Sequence, residues 1–319
     1  MAVKDTVFTL NNGKKIPALA LGTWQAGPGE VAKIVEYALT TAGYRHIDCA
    51  FAYGNEEEVG RGIAAAIKSG KVTREEIFVT TKVWSTWHDR ISEALDVSLK
   101  NLGLEYVDML LIHWPIALNP HGNHPIAPTT PDGGRDVDPN GSYIKMWKDL
   151  ETIYKTTKKV QAIGVCNCSI PYLEELLKEA EIVPAVNQVE LHPQLPQLEL
   201  VKYCKEKGII CEAFSPLGSS GGPLLKLPTV QKIAEKYKTS PGGILLSYHI
   251  SGGKVVLAKT VNPARATANS NDLVELSEED LATLDKVAET EGIRRTSKPK
   301  WGVDLKFDDW TDWHPAHWK

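Results

Sequence analysis

Along the chain, short apolar runs alternate with longer stretches in which apolar side chains recur every three or four positions. The runs at 18–22, 45–49, 77–83, 107–114, 160–165, 184–189, 209–214 and 255–259 are too short for helices and predict eight strands. Between them, Val59, Ile63 and Ile67 repeat at helical spacing, as do Ile91, Leu95, Leu99 and Leu102 ahead of Gly103. Leu173, Leu176, Leu177 and Ala180 do the same behind Pro171, a residue suited to a first helical turn. Ser277, three residues before Asp280 and flanked by Leu276 and Leu281, predicts a helix start with a capping box and hydrophobic staple. Ahead of the first strand, 7–10 and 15–19 flank Asn12-Gly13, the signature of a hairpin with a type I′ turn.

Strand followed by helical pattern, eight times over, predicts a parallel sheet. A run such as Val107-Asp-Met-Leu-Leu-Ile112 suits strands covered on both faces. No break divides the pattern, so we expect one α/β domain over residues 1–319, a closed (β/α)8 TIM barrel rather than a doubly wound sheet. Two segments stand outside the repeat. Residues 115–140 hold six prolines and predict a long surface loop after the fourth strand. The C-terminal tail after about Glu291 is polar, yet contains Trp301, Trp310, Trp313 and Trp318.

Composition narrows the function classes. A hydrophobic share of 42 % and a charged share of 24 % are those of a folded chain and exclude a disordered one. A net charge of −4 leaves no basic footprint for nucleic acid or an anionic membrane. No apolar run is long enough to span a bilayer, and no secretory signal opens the sequence. Five cysteines, odd in number and without C-x-x-C spacing, read as reduced thiols of a cytoplasmic protein. Cys166 and Cys168 alternate on one strand and are expected to share a face, but no further ligand has metal-site spacing, so no metal is expected. Gly60-Arg-Gly62-Ile-Ala-Ala65 fits a loose dinucleotide pattern, but it lies inside a helical stretch and reads as helix packing. Glu56, Glu57 and Glu58 read as an acidic helix N-terminus favoured by the macrodipole.

Barrels of this kind carry their active sites where strands end. Asp48 ends the second strand with Tyr53 just beyond, Lys82 lies near the end of the third, and the fourth runs into His113-Trp114-Pro115. The sixth carries Asn187, Gln188 and Glu190. Singly, an acid or cation there is as easily a structural ion pair. An acid, a cation, an imidazole and a phenol on neighbouring strands point instead to chemistry. Trp24, Trp84 and Trp114, also at strand ends, would form a wall for a substrate.

Longer motifs carry a resemblance. Gly43-Tyr-Arg-His-Ile-Asp48-Cys-Ala50 with Tyr53-Gly-Asn-Glu56 and Val59-Gly60 resembles the first signature of the aldo-keto reductase family. Lys159-Val-Gln-Ala-Ile-Gly164-Val-Cys-Asn167 resembles the second, and Lys259-Thr-Val-Asn-Pro-Ala-Arg265, ending at Asn269, the third. Leu21-Gly-Thr-Trp24, Ile112-His-Trp-Pro115, Asn187-Gln188-Val-Glu-Leu-His-Pro193 and Phe214-Ser-Pro-Leu-Gly218 are also family-like. The tail around Gly292-Ile-Arg-Arg295 and Pro299-Lys-Trp301 is most similar to the family's fungal NADP-dependent aldehyde reductases of the glycerol dehydrogenase type.

The resemblance implies a catalytic tetrad of Asp48, Tyr53, Lys82 and His113, with Tyr53 as proton donor, its pKa lowered by Lys82, and Asp48 holding that lysine. It also implies an NADP(H) site. Asn167 and Gln188 would hold the carboxamide, Phe214 would stack on the ring, Ser215 and Leu217 would follow at the pyrophosphate, and Thr23 would also bind the cofactor. Lys259, Thr260, Asn262 and Arg265 would surround the 2′-phosphate, and Asn269 the adenine. The chain departs from the family at Cys166 (commonly Ser), Cys168 (aromatic), Phe214 (Tyr), Ala258 (Pro) and Ala268 (acid). The resemblance thus implies a monomeric enzyme acting on small carbonyl substrates, reducing aldehydes and some ketones. The alternatives are a pentose or hexuronate reductase, or a cofactor-sensing binding protein on the same barrel. In this family the tail folds over the barrel mouth, while a stabilising strap on the barrel's side is the plainer reading of the same residues.

Overall fold

The computed structural model describes residues 2–311, so Trp313 and Trp318 lie outside the described residues. Two short antiparallel strands come first, β1 (Val7–Thr9) and β2 (Lys15–Pro17). All eight apolar runs then form parallel strands: β3 (Leu19–Gly22), β4 (His46–Asp48), β5 (Phe78–Val83) and β6 (Met109–Ile112). The second half adds β7 (Ile163–Cys166), β8 (Val186–Glu190), β9 (Ile210–Phe214) and β10 (Val255–Lys259). They close into a barrel in which β10 pairs with β3.

The helices α1 (Val31–Thr40), α2 (Glu56–Lys68), α3 (Ile91–Leu102), α4 (Tyr143–Thr156), α5 (Ile170–Glu179) and α6 (Leu198–Glu206) follow successive barrel strands. A pair, α7 (Pro228–Tyr237) and α8 (Pro241–Ser251), links β9 to β10. Beyond the barrel come α9 (Pro263–Asn271), α10 (Glu278–Asp285) and α11 (Val287–Glu291).

Period two explains the core. Ala20, Phe78, Met109, Leu111, Cys166, Val186 and Leu257 form one buried cluster inside the barrel. Their strand neighbours Leu21, Ile47, Val79, Leu110, Ile112 and Val165 pack outward under the helices. Leu10 and Ile16 of the hairpin join the inner cluster and close the end where the strands begin. Gly60 and Gly62 prove to be packing glycines. A Cβ on Gly60 would strike the Leu102 carbonyl, and one on Gly62 would meet the Ala32 carbonyl at 2.6 Å.

Three local expectations are corrected and a fourth is extended. Asn12-Gly13 is not a type I′ turn, because only Gly13 has a positive φ, 82°. The Leu10 N–H donates to the Lys14 carbonyl and the Gly13 N–H to the Leu10 carbonyl, so three residues lie between the bonded Leu10 and Lys14. The Asn12 side chain accepts from Lys14 N–H and donates to the Gln161 carbonyl, which ties the hairpin to the barrel. Cys166 and Cys168 do not share a face. Strand β7 stops at Cys166, Asn167 turns left-handed at φ 59°, and Cys168 packs in the outer cluster. Ser277 accepts from Asp280 N–H as expected, but its own N–H donates to the Tyr237 hydroxyl, so only one arm of the capping box forms. Finally, Glu56 is more than an acidic first turn. It is buried, and its carboxylate accepts from Thr81 Oγ1 at 2.7 Å and Asn101 Nδ2 at 3.1 Å.

The proline-rich loop 115–140 lies between β6 and α4 and is folded back on itself through the Leu118–Val137 and Thr129–Arg135 bridges. Trp84 Nε1 donates to the Ile126 carbonyl at 2.7 Å and holds the loop to the barrel rim.

Candidate active site

The C-terminal ends of β4, β5 and β6 bring the four expected groups together. Strand alternation turns His46 and Asp48 inward on β4, and Phe78, Thr80 and Lys82 inward on β5. Lys82 Nζ lies 2.7 Å from both carboxylate oxygens of Asp48, 3.0 Å from the Cys49 carbonyl and 3.2 Å from the Tyr53 hydroxyl. Tyr53 ends a 3-10 turn, Phe51–Tyr53, stopped by Gly54 at φ 66°. His113 follows β6 directly, and its ring meets Tyr53 edge to face at 5.6 Å. Asp48 and Lys82 are buried, whereas Tyr53 and His113 are half-buried. Thr23 Oγ1 donates to the Asp48 carbonyl, and Asn55 Nδ2 to the Thr23 carbonyl, which fixes the loops around them.

Burial sets the protonation states. Desolvation disfavours the Lys82 ammonium, but Asp48 and then Tyr53 outweigh it and push the lysine pKa up. The expected lowering of the Tyr53 phenol does not win. Burial raises its pKa, Lys82 pulls the other way, and Asp48 adds to the rise, leaving the phenol above its usual value. Burial, then the Lys82 charge, holds His113 well below the usual imidazole range, so its ring is neutral near pH 7. Its carbonyl accepts from Asn167 Nδ2 at 2.9 Å, while Nδ1 has no partner among the described residues.

The expected cofactor residues lie on and just after β7 to β10 and along α9, with Thr23 after β3. Asn167 and Ser215 are left-handed non-glycine residues, at φ 59° and 52°. Phe214 ends β9, and the half-buried Leu217 follows in the turn before Gly218, itself at φ 83°. Gln188 points inward from β8, and its Nε2 donates to Asp48. At the far end, Asn262 caps α9 by accepting from Arg265 N–H, and Arg265 Nε donates to Thr260 Oγ1 at 3.3 Å. Lys259 Nζ donates to the Gln25 carbonyl at 3.0 Å. Lys259 and Arg265 are both exposed beside the N-terminus of α9, a donor set that fits a phosphate. Asn269 lies one turn further on in α9, where the Tyr44 hydroxyl donates to the Ala266 carbonyl at 3.3 Å.

At the mouth, Trp84 packs on His113 with ring centroids 5.1 Å apart. Trp301 of the tail packs on Trp84 at 6.0 Å and on Trp114 at 5.2 Å, and Trp310 packs on Trp114 at 6.2 Å. Trp24, 49 % exposed, belongs to none of these ring pairs. Arg135 of the proline-rich loop stands 5.8 Å from the Trp301 ring. Glu190, inward at the end of β8, anchors the tail. Its Oε1 accepts from Thr296 N–H and Oγ1, and its Oε2 from Ser297 N–H at 2.8 Å. Burial would raise this carboxyl, but the bonds from His192 and Thr296 outweigh it and hold the pKa low. Sequence reasoning noted Glu190 only as a strand-end acid and missed both the anchor and Glu212, a buried carboxyl bonded to Gln188. The one available signal for Glu212 was an acid inside the otherwise apolar run 209–214.

Among the described residues, no group of three or more His, Cys, Asp or Glu is arranged to hold a metal ion, and no helix is long and apolar enough to cross a membrane. Residues 18–289 match the Aldo/keto reductase family. The chain is 51 % identical to D-galacturonate reductase of Hypocrea jecorina, over 95 % of this chain and 98 % of that protein. It is 46 % identical to glycerol 2-dehydrogenase (NADP(+)) of Saccharomyces cerevisiae, over 92 % and 95 %. The aldose reductase of Schistosoma japonicum superposes with a TM-score of 0.84 at 35 % identity, covering 92 % of this chain and 94 % of that one. This oxidoreductase chain belongs to the aldo/keto reductase family.

Proposed function

We propose that the protein is a cytoplasmic, monomeric, single-domain reductase that uses NADPH to convert aldehydes and some activated ketones to alcohols. The observation that carries this reading is the buried Asp48–Lys82 pair reaching the Tyr53 hydroxyl beside a neutral His113. When bound, the cofactor supplies a hydride to the carbonyl carbon. Tyr53 gives the proton to the carbonyl oxygen, and its raised pKa keeps it loaded at neutral pH. As that proton leaves, the Lys82 ammonium stabilises the phenolate, and Asp48 holds the ammonium in place. His113, neutral, donates an N–H to the same oxygen and fixes its approach, so the developing charge meets donors already in position.

Asn167 and Gln188 hold the carboxamide, Phe214 covers the ring, and Thr23, Ser215 and Leu217 line the path to the pyrophosphate. Lys259 and Arg265, with Thr260 and Asn262, take the 2′-phosphate, and Asn269 the adenine. The exposed cation pair at α9 supports NADP(H) over NAD(H), and so does the NADP(+) in the yeast relative's name.

A hexuronate or pentose reductase is the second reading. It is favoured by the name of the 51 % identical relative and by Arg135 beside Trp301, where a guanidinium could meet a substrate carboxylate. Loss of NADPH absorbance on adding glyceraldehyde tests the reductase reading. Comparing kcat/KM for glyceraldehyde, a pentose and D-galacturonate separates the two. No turnover with any of them sinks both.

A further inference from the structure

One charged group inside the barrel has no part in the proton and hydride chemistry of the tetrad. On β9, Cys211 and Ala213 face the helices while Ile210 and Phe214 face the barrel interior, so Glu212 points inward. It sits directly across from Gln188 in the β8–β9 register and is fully buried. Its Oε2 accepts from Gln188 Nε2 at 2.7 Å, and the same nitrogen donates to Asp48 Oδ2 at 2.9 Å. Among the described residues, Glu212 Oε1 has no partner. Burial, with a smaller push from Asp48, drives this carboxyl up to about 7, against the Gln188 bond.

A carboxyl so placed costs free energy, and among the described residues its one hydrogen bond is to an amide. What it achieves is directional. A primary amide nitrogen has two protons, and here each goes to a carboxyl. The flipped amide would set Gln188 Oε1 against the Asp48 and Glu212 oxygens, so two acceptors on one side exclude it. Oε1 is then the polar atom of Gln188 left to face away from the pair. The carboxylate form of Glu212 offers only acceptors; in the acid form, with the proton on Oε1, Oε2 still accepts, and Asp48 still opposes the flipped amide.

We propose that Glu212 is a positioning residue: sharing Gln188 Nε2 with Asp48, it turns Gln188 Oε1 toward the nicotinamide as an acceptor for the carboxamide N–H groups. The proposal rests on the reading of the protein as an NADPH-dependent reductase. It makes Glu212 act on the cofactor only through Gln188.

A double-mutant cycle tests this, read as NADPH affinity from quenching of tryptophan fluorescence, without substrate. Glu212→Met keeps the volume and removes the acceptor, and should weaken NADPH about tenfold while leaving the aldehyde KM near normal. Glu212→Gln keeps a carbonyl acceptor and should stay within about threefold of the parent protein. In a Gln188→Ala background, Glu212→Met should add nothing. No weakening by Glu212→Met, or equal weakening in both backgrounds, overturns the proposal. Glu212→Leu supplies the same truncation should the methionine variant fail to fold. If the unmodified protein does not bind NADPH, the functional reading itself falls, and that is seen before any variant is made.

Discussion

Tyr53 and His113 meet edge to face at 5.6 Å, and both are half-buried where Lys82 and Asp48 are fully enclosed. The two neutral groups thus face the mouth and the two charged groups stand behind them. Tyr53→Phe removes only the hydroxyl and keeps the ring contact, so NADPH affinity should be unchanged while kcat falls by roughly 10²–10⁴. Near-normal kcat would remove Tyr53 from the proton path.

Lys82→Met should cost at least as much in kcat, and it should also cost stability. It leaves the Asp48 carboxylate buried without its cation, a loss of about 3–5 kcal/mol. Thermal melting alongside single-turnover kinetics separates the two effects. An unchanged melting temperature would mean that the pair is not closed to water.

Arg265 tests the choice of cofactor. Its guanidinium is exposed, with Nε on Thr260 Oγ1 and its other N–H groups available to an anion. Arg265→Ala should weaken NADPH about ten- to hundredfold and barely alter NADH. Equal losses in fluorescence titrations with the two cofactors would show that Arg265 does not meet the 2′-phosphate.

Glu212 also predicts a pH signature in stability. Its carboxyl rises from 4.5 to about 7 on folding, so the folded state binds the extra proton between those values. Its contribution is fully retained below about pH 4.5 and is lost as pH rises through 7, by about 3 kcal/mol in all. Histidines such as His46, pushed down to about 4 by burial, give the opposite slope. Comparing Glu212→Gln with the parent at each pH cancels them. The variant should gain relative stability from pH 4.5 to 7 and level off above. A flat difference would place the carboxyl in a wetter site.

The strands were legible because apolar runs of five to eight residues sit between helical periods, and Lys82 stood out as a cation near the end of such a run. Glu212 did not stand out, because a mid-strand acid points inward or outward only once the barrel's register is known. The turn at Asn12 escaped for a similar reason. Its side chain is committed to Lys14 and to Gln161, 149 residues away, and no local pattern records that. The sign of the Tyr53 shift was missed because sequence names the neighbouring cation but not the depth of burial that outweighs it.

The tail has no period of its own, yet its path is set by Glu190, which grips Thr296 and Ser297 from 106 and 107 residues away. From that anchor the chain carries Trp301 onto Trp84, the residue that also touches His113. Trp301, Leu305, Phe307 and Trp310 are buried in the main core cluster, so deletion from Lys300 lowers thermal stability whether the tail is a lid or a strap. Stability therefore cannot decide between them. Substrate ranking can, because only a lid stands between His113 and a bulky aldehyde. For three aldehydes of increasing size, the deletion should change the ratio of kcat/KM between largest and smallest by about tenfold or more, with NADPH affinity nearly constant. Trp301→Ala, which keeps the anchor at Glu190, should shift the ranking in the same direction. If both proteins keep the parent ranking, the tail is a strap and the walls of the pocket lie elsewhere.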